Sequence, residues 1–357
     1  MTDIARMAGV SQSSVSLVLN QMTGARISAE TQAKVWEAAR LVGYKSPGMR
    51  REEARAPNET LTDTTKNKIA FIVDEISTSP HPVVSFDGAR DFAFEQGILV
   101  HAQATRSNPE LEDAVLRSVL ADPGILGVIY ATIFTRKVKV PKLLEDVPTV
   151  LLNCYAEPRK HISVIPGEVA GGFSATAYLT SLGHRRIGFI NGEPWMDAAV
   201  DRLKGYKQAL ATADIAYDEA LVRDGDWLPL RGYEAGLELL ALDPPPTAIF
   251  CANDLMAIGV MEAAYECGFR VPEDLSVMGY DDQELARYTH PPLSTLVLPN
   301  YEMGQRAAEI LIDMTVHEKA FRPMTIKIDG PLVRRGTTAK PPARAQIEAR
   351  STSTTDA

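Results

Sequence analysis

Six polar residues stand where short apolar runs of this chain give out: Asp74, Tyr130, Asn153, Asn191, Asn253 and Asp281. Carboxylate, amide and phenol groups exchange hydrogen bonds with hydroxyls. Gathered at one end of a sheet, they would suit a hydroxylated small molecule. The same residue types are ordinary turn and cap formers, so each is open to a purely structural reading as well. A second chemical set lies near the N-terminus. Gln12, Ser13, Ser14 and Ser16 are small or polar side chains able to approach base edges and phosphates.

The elements that would position the N-terminal set are helices. Thr2 is an expected N-cap, and Ile4, Ala5 and Ala8 give a short first helix an apolar edge. Gly9 falls where the chain must turn, and Ser11 can cap a second helix whose Val15 and Leu19 face inward. A third helix is expected from Ser28 as cap through Val35, Ala38, Ala39 and Leu41, with Gly43 as stop. The pattern is that of a helix-turn-helix, although three small helices packing for stability alone would look similar. Charge favours the first reading. Residues 1–55 hold eight Lys/Arg against five Asp/Glu, a net of +3, and the rest hold 29 against 41, a net of −12, which together give −9. Such asymmetry suits a small DNA module on an acidic body.

A chain of 357 residues implies more than one domain, and 45% hydrophobic with 23% charged residues is an ordinary globular composition. No apolar run reaches about 18 residues and no basic stretch leads into an apolar one, so no membrane partner and a cytoplasmic location are expected. Cys154, Cys251 and Cys267 form no C-x-x-C pair and are expected to be reduced and buried. The histidines form no ligand pair at helical spacing. No metal, no cofactor and no catalytic residues are expected, because the glycine-rich, nucleophile-elbow and metal spacings are missing.

Past a polar linker, 46–67, the texture changes to alternating strands and helices. Strands are expected at 69–73, 98–102, 128–130 and 150–152, with helices at 86–96 and 111–120. The alternation restarts with a helix at 172–182 and strands at 187–190, 221–223, 248–251 and 276–279. The fold class is α/β: two doubly wound, mainly parallel sheets with flanking helices behind a three-helix N-terminal domain. The expected divisions are 1–45 for the helix-turn-helix, 46–67 for the linker and 68–338 for a ligand-binding and dimerisation body. Within that body the first lobe is placed at about 68–163 with 298–322 and the second at about 164–295 with 324–337. A tail at 339–357, rich in Ala, Ser, Thr and Pro, is expected to be disordered.

Several motifs in this order resemble the lactose-repressor family of bacterial transcription regulators. They are Asp3-Ile-Ala-Arg-Met-Ala-Gly-Val-Ser11, Ser14-Val-Ser-Leu-Val-Leu-Asn20, Leu182-Gly-His-Arg-Arg-Ile187, Asp201-Arg-Leu-Lys-Gly-Tyr206, Cys251-Ala-Asn-Asp254, Val277-Met-Gly-Tyr-Asp-Asp282 and Pro291-Pro-Leu-Ser-Thr295. The resemblance implies a homodimeric repressor on a near-palindromic double-stranded DNA operator, with a body like the periplasmic sugar-binding proteins. By that resemblance Gln12, Ser13 and Leu17 read bases, while Ser11, Asn20, Arg26 and Ser28 contact the backbone. Arg202, Asn253 and Asp281 match positions that hydrogen-bond a sugar or base ligand, with a sugar-like effector expected, and Trp227 matches an aromatic position that stacks on it. Arg202 could instead pair with Asp201 or another carboxylate on its own helix surface, and Trp227 could simply cap a core. Asp282 is expected to brace its turn, and His184, Arg185 and Arg186 to be solvated caps.

The chain departs from the family at three places. Leu17 stands where the family has arginine, so bidentate reading of guanine is lost there. The segment after Tyr44 lacks the leucine that the family inserts in the minor groove. Met49 is the nearest substitute and Glu52 and Glu53 are unfavourable beside phosphate, so a tether with little bending is expected. Pro166-Gly167-Glu168 replaces the usual Asp-Asn, and Gly167 offers no carboxylate. The expected function is a DNA-binding transcriptional regulator controlled by a small effector. A small-molecule binding protein with a weakened DNA module is the alternative.

Overall fold

The computed structural model describes residues 2–10, 15, 18–19, 28–41 and 66–342. Its internal contacts divide the chain into two units, 1–64 and 65–357. In the first, α1 (Thr2–Ala8) and α2 (Ala29–Leu41) share one buried cluster. Ile4 and Ala5 meet Val35, Ala38 and Ala39, and Val15, Val18 and Leu19 complete it. The spacing on α2 is that of one helical face. Gly9 adopts φ +67°, the left-handed conformation that ends α1, and Val10 N–H donates to the Ala5 carbonyl at 3.1 Å. Ser28 Oγ accepts from Thr31 N–H at 3.2 Å, satisfying a first-turn donor of α2. Thr2 lies within α1 rather than before it.

The second unit holds two lobes. β1 (Lys68–Val73), β2 (Leu99–Ala104), β3 (Ile125–Lys137), β4 (Thr149–Tyr155), β5 (Ile162–Pro166) and β11 (Thr325–Ile328) form one parallel sheet, in the order β11-β5-β4-β3-β1-β2. Alternate residues pack on opposite faces. Ile69, Phe71 and Val73 meet α3 (His81–Glu95) and α9 (Asn300–Thr315), whereas Ala70 and Ile72 meet α4 (Pro109–Leu120) through Leu116. The second lobe carries a four-stranded parallel sheet, β7-β6-β8-β9, built from β6 (Ile187–Ile190), β7 (Val222–Arg223), β8 (Ala248–Cys251) and β9 (Ser276–Met278). Around it lie α5 (Glu168–Ser181), α6 (Asp197–Thr212), α7 (Pro229–Leu240) and α8 (Asp254–Glu266). The short pair β10 (Thr295–Leu296) and β12 (Leu332–Val333) is antiparallel.

Three segments cross between the lobes and bond to one another. Gly167 N–H donates to the Ile328 carbonyl at 2.8 Å, and Val297 N–H to the Pro331 carbonyl at 3.0 Å. The lobe limits differ from those expected. The whole of β5 belongs to the first sheet, so the first crossing comes after Pro166. β11, expected in the second lobe, pairs with β5 with Ile326 opposite Val164. Ile326 and Ile328 pack on the first core, which outweighs the polar Lys327 between them.

Three further expectations fail at the second lobe. Ala339 belongs to the folded body, because its N–H donates to Ser276 Oγ at 3.0 Å and its carbonyl accepts from buried His184 Nε2 at 2.9 Å. His184 is therefore an internal tie rather than a solvated cap, with Nδ1 also 2.9 Å from Thr247 Oγ1. Cys154 and Cys251 are buried, but Cys267, just past the end of α8, is exposed. Among the described residues no helix is long and apolar enough to cross a membrane, and no group of acidic, His or Cys side chains could hold a metal ion.

Candidate functional site

Of the expected DNA-contacting residues, Ser28 is described, as the cap of α2. Ser11, Gln12, Ser13, Ser14, Ser16, Leu17, Asn20 and Arg26 lie outside the described residues, as do Met49 and the tether.

In the second unit the site is built on Arg202. Its helix, α6, lies close on α5, because a Cβ on Gly172 would fall 2.3 Å from the Arg202 carbonyl and one on Gly205 would fall 2.2 Å from the Val169 carbonyl. That approach brings the buried guanidinium to the first residue of α5. Arg202 Nε and Nη2 donate to the two oxygens of Glu168 at 2.7 and 2.9 Å, and Nη1 donates to the Ala252 carbonyl. The guanidinium lies 3.7 Å from the Tyr280 ring centroid and 5.5 Å from that of Trp227. Burial pulls its pKa down, yet the Glu168 charge and its neighbours outweigh that and hold it above the ordinary value.

Asp281, at φ +104°, places one carboxylate oxygen 3.7 Å from Arg202 Nη1 and the other 3.6 Å from His81 Nε2 in the first lobe. Trp227 follows β7 at φ +69°, donates Nε1–H to Met196 Sδ at 2.9 Å, and lies flush on Gly192. Asn253 caps α8 by accepting from Met256 N–H at 2.9 Å, and it donates to the Trp227 carbonyl at the same distance. It thus fixes both the helix and the tryptophan. Behind it, Asp254 is buried, and desolvation, then the Asp281 charge, push its carboxyl well above the usual range. Asp282 pairs with Arg335 at 2.5 Å and Arg287 at 3.4 Å, bracing its turn as expected.

The first lobe contributes less than the sequence suggested. Tyr130 is mid-strand, because β3 continues to Lys137, and it shares the face of Val128 and Leu116 on the α4 side. Its hydroxyl donates to Glu112 at 2.6 Å, so it is directed away from the second lobe. Asn153 is tied into its own sheet, accepting from Thr135 Oγ1 at 2.6 Å and donating to the Thr132 carbonyl at 3.1 Å. Asp74 accepts from Ile133 N–H at 2.8 Å and pairs with Arg136 at 2.7 Å, and burial raises its pKa.

Sequence reasoning did not assign the groups that join the lobes. Tyr155 donates to Asp197 at 2.9 Å, Phe134 meets Trp195 edge-on at 5.6 Å, and His81 faces Asp281. Glu168 was visible only as part of a departure from a pattern. A groove of about 490 Å³ is lined entirely by second-lobe residues, among them Asn191, Val200, Lys204 and Lys207.

Two parallel sheets with a charged, aromatic-flanked cluster at the carboxyl ends of the second, together with a separate helical unit, are the parts of a two-unit DNA-binding regulator. Residues 1–46 match the bacterial regulatory proteins of the lacI family, and residues 176–338 match the periplasmic binding protein-like domain. The HTH-type transcriptional repressor PurR of Vibrio atlanticus (strain LGP32) is 32% identical over 340 residues, 94% of this chain and 97% of the relative. The transcriptional regulator CelR–cellobiose complex is 27% identical with a TM-score of 0.63, covering 94% of this chain and 98% of that one. The lac repressor dimer bound to operator and the anti-inducer ONPF is also 27% identical, with a TM-score of 0.65 and the same coverage. The chain belongs to the lacI family of bacterial transcription regulators.

Proposed function

We propose that this chain is a cytoplasmic, homodimeric repressor that binds a near-palindromic operator through its N-terminal helices and is controlled by a small, sugar-like effector held between the two lobes. The observation that carries the reading is the convergence of Arg202, Asp281 and Trp227 at the carboxyl ends of the second sheet, facing His81 of the first lobe. A carboxylate suits paired hydroxyls, and an indole covers the apolar face of a sugar ring. The complex of CelR with cellobiose and the operator-bound lac repressor dimer support the ligand class and the assembly. Apolar side chains left exposed on both lobes, such as Phe94, Leu99, Leu230 and Tyr265, offer surface for self-association.

Control is linkage. An effector that prefers one arrangement of the lobes changes the presentation of the paired DNA modules, and it shifts the equilibrium only by its differential affinity. The test is operator titration by fluorescence anisotropy across salt concentrations, paired with a thermal-shift screen of sugars and nucleosides. A steep salt slope with a large specific ratio is expected. So is a stabilising neutral ligand whose effect Asp281→Ala removes. A flat salt response would instead make the chain a binding protein without a working DNA module.

A further inference from the structure

The guanidinium at the centre of the cleft is already occupied by the chain itself. Arg202 directs Nε and one Nη to both oxygens of Glu168 and its other Nη to the Ala252 carbonyl, with both ionic side chains about 95% buried or more. The remaining carboxylate, Asp281, has only long contacts, at 3.3 Å to Gln283, 3.6 Å to His81 and 3.7 Å to Arg202. One guanidinium thus faces two carboxylates. In the first lobe, Asp74 is likewise paired within the chain, with Arg136 at 2.7 Å.

We infer that Glu168 is a specificity-determining residue: it takes from within the chain the place that a ligand carboxylate or phosphate would need, so that the cleft admits uncharged hydroxylated molecules and rejects anionic ones. A planar guanidinium binds carboxylate and phosphate through the same two-pronged geometry, so the Glu168 carboxylate and an incoming anion compete for one set of donors. Displacing Glu168 would leave a buried carboxylate without its partner, which opposes exchange. Glu168 opens α5 directly after Gly167, where a Cβ would fall 1.8 Å from Asp329 Oδ1, a contact that the exposed Asp329 side chain would have to move to relieve. Asp281, left with weak internal partners, remains to accept hydroxyl donors.

The inference rests on the cleft being the effector site, and its test separates the two. Purified full-length protein and Glu168→Gln are titrated with inorganic phosphate and with ribose 5-phosphate against chloride at matched ionic strength, following Tm. Wild type is expected to show no saturable shift. Glu168→Gln frees the donors without changing side-chain size and is expected to bind phosphate about ten- to a hundredfold more tightly. Adding Arg202→Met should abolish that gain. A folded Glu168→Gln protein as insensitive as wild type, or a gain that survives Arg202→Met, overturns the inference. Should Glu168→Gln fail to fold, the wild-type arm decides: a saturable phosphate-specific rise in Tm overturns it, and insensitivity upholds it. The neutral-sugar screen and the operator titration judge the effector reading separately, so either can fail alone.

Discussion

Tyr155, the last residue of β4 in the first lobe, donates its hydroxyl to Asp197, the first residue of α6 in the second, at 2.9 Å. Burial, then the Asp197 carboxylate, raise the phenol pKa to about 12, so it keeps its proton through the neutral range. The bond therefore favours lobes drawn together whether or not a ligand is present. Tyr155→Phe is expected to cost about 0.5–1.5 kcal/mol in urea unfolding. It should also enlarge the radius of gyration of the ligand-free protein by small-angle scattering. Asp197→Asn still accepts the bond and should have a smaller effect. An unchanged scattering curve for Tyr155→Phe would mean that this contact does not hold the lobes.

Trp227 rests on Gly192, where a Cβ would fall 1.9 Å from the indole. The ring is tied by Met196 and by the Asn253 contact to its carbonyl, so it has little room to yield. Gly192→Ala is expected to cost about 1–3 kcal/mol through overpacking. It should also weaken any neutral ligand found in the thermal-shift screen, because the stacking surface is displaced. The change in Trp fluorescence on binding provides the readout, and an unaltered affinity would remove Trp227 from the effector site.

These relationships differ in how far the sequence could foretell them. The runs at 187–190 and 248–251 are apolar throughout, as strands covered on both faces must be, and both strands have the expected limits. Tyr130 misled because a polar residue after an apolar pair looks like a strand end. β3 instead continues through Thr132–Thr135 to Lys137, and strand parity sends the phenol to α4. β11 was lost to the polar Lys327 in a short strand. Arg202 and Asp281 were legible through a family pattern. Glu168 was not, since its partner lies 34 residues away and only the packing of α5 on α6 brings them together. The interlobe pairs are likewise products of tertiary geometry, with no local signature.

His184 is a source of pH-dependent stability. Burial lowers its pKa, and the Ala339 carbonyl only partly offsets this. In the unfolded chain the imidazole takes its proton near its ordinary value of 6.5, and in the folded chain only at lower pH. Between those values the unfolded state binds more protons, so stability present above 6.5 is lost as pH falls. His184→Gln should flatten that part of the profile between about pH 7 and about pH 5 while costing about 1–3 kcal/mol at neutral pH, because buried groups on Thr247, Ser276 and Ala339 lose a partner. Urea unfolding of both proteins at a series of pH values measures the difference in slope, and parallel profiles would assign the acid sensitivity elsewhere.

The family resemblance implies a base-reading position for Leu17, which would make it bear on operator choice. A leucine at a base-reading position offers apolar contact only, suited to a thymine methyl, whereas arginine would bond guanine through two donors. Leu17→Arg is expected to shift preference at one half-site position toward guanine by about 1–3 kcal/mol, read by competitive binding of operators varied at each base. Leu17→Ala should weaken binding at the same position without creating a new preference. Leu17→Ala changes no charge, so for that variant the salt slope should stay constant while sequence preference moves. If both variants keep the wild-type preferred sequence and affinity, Leu17 does not face a base.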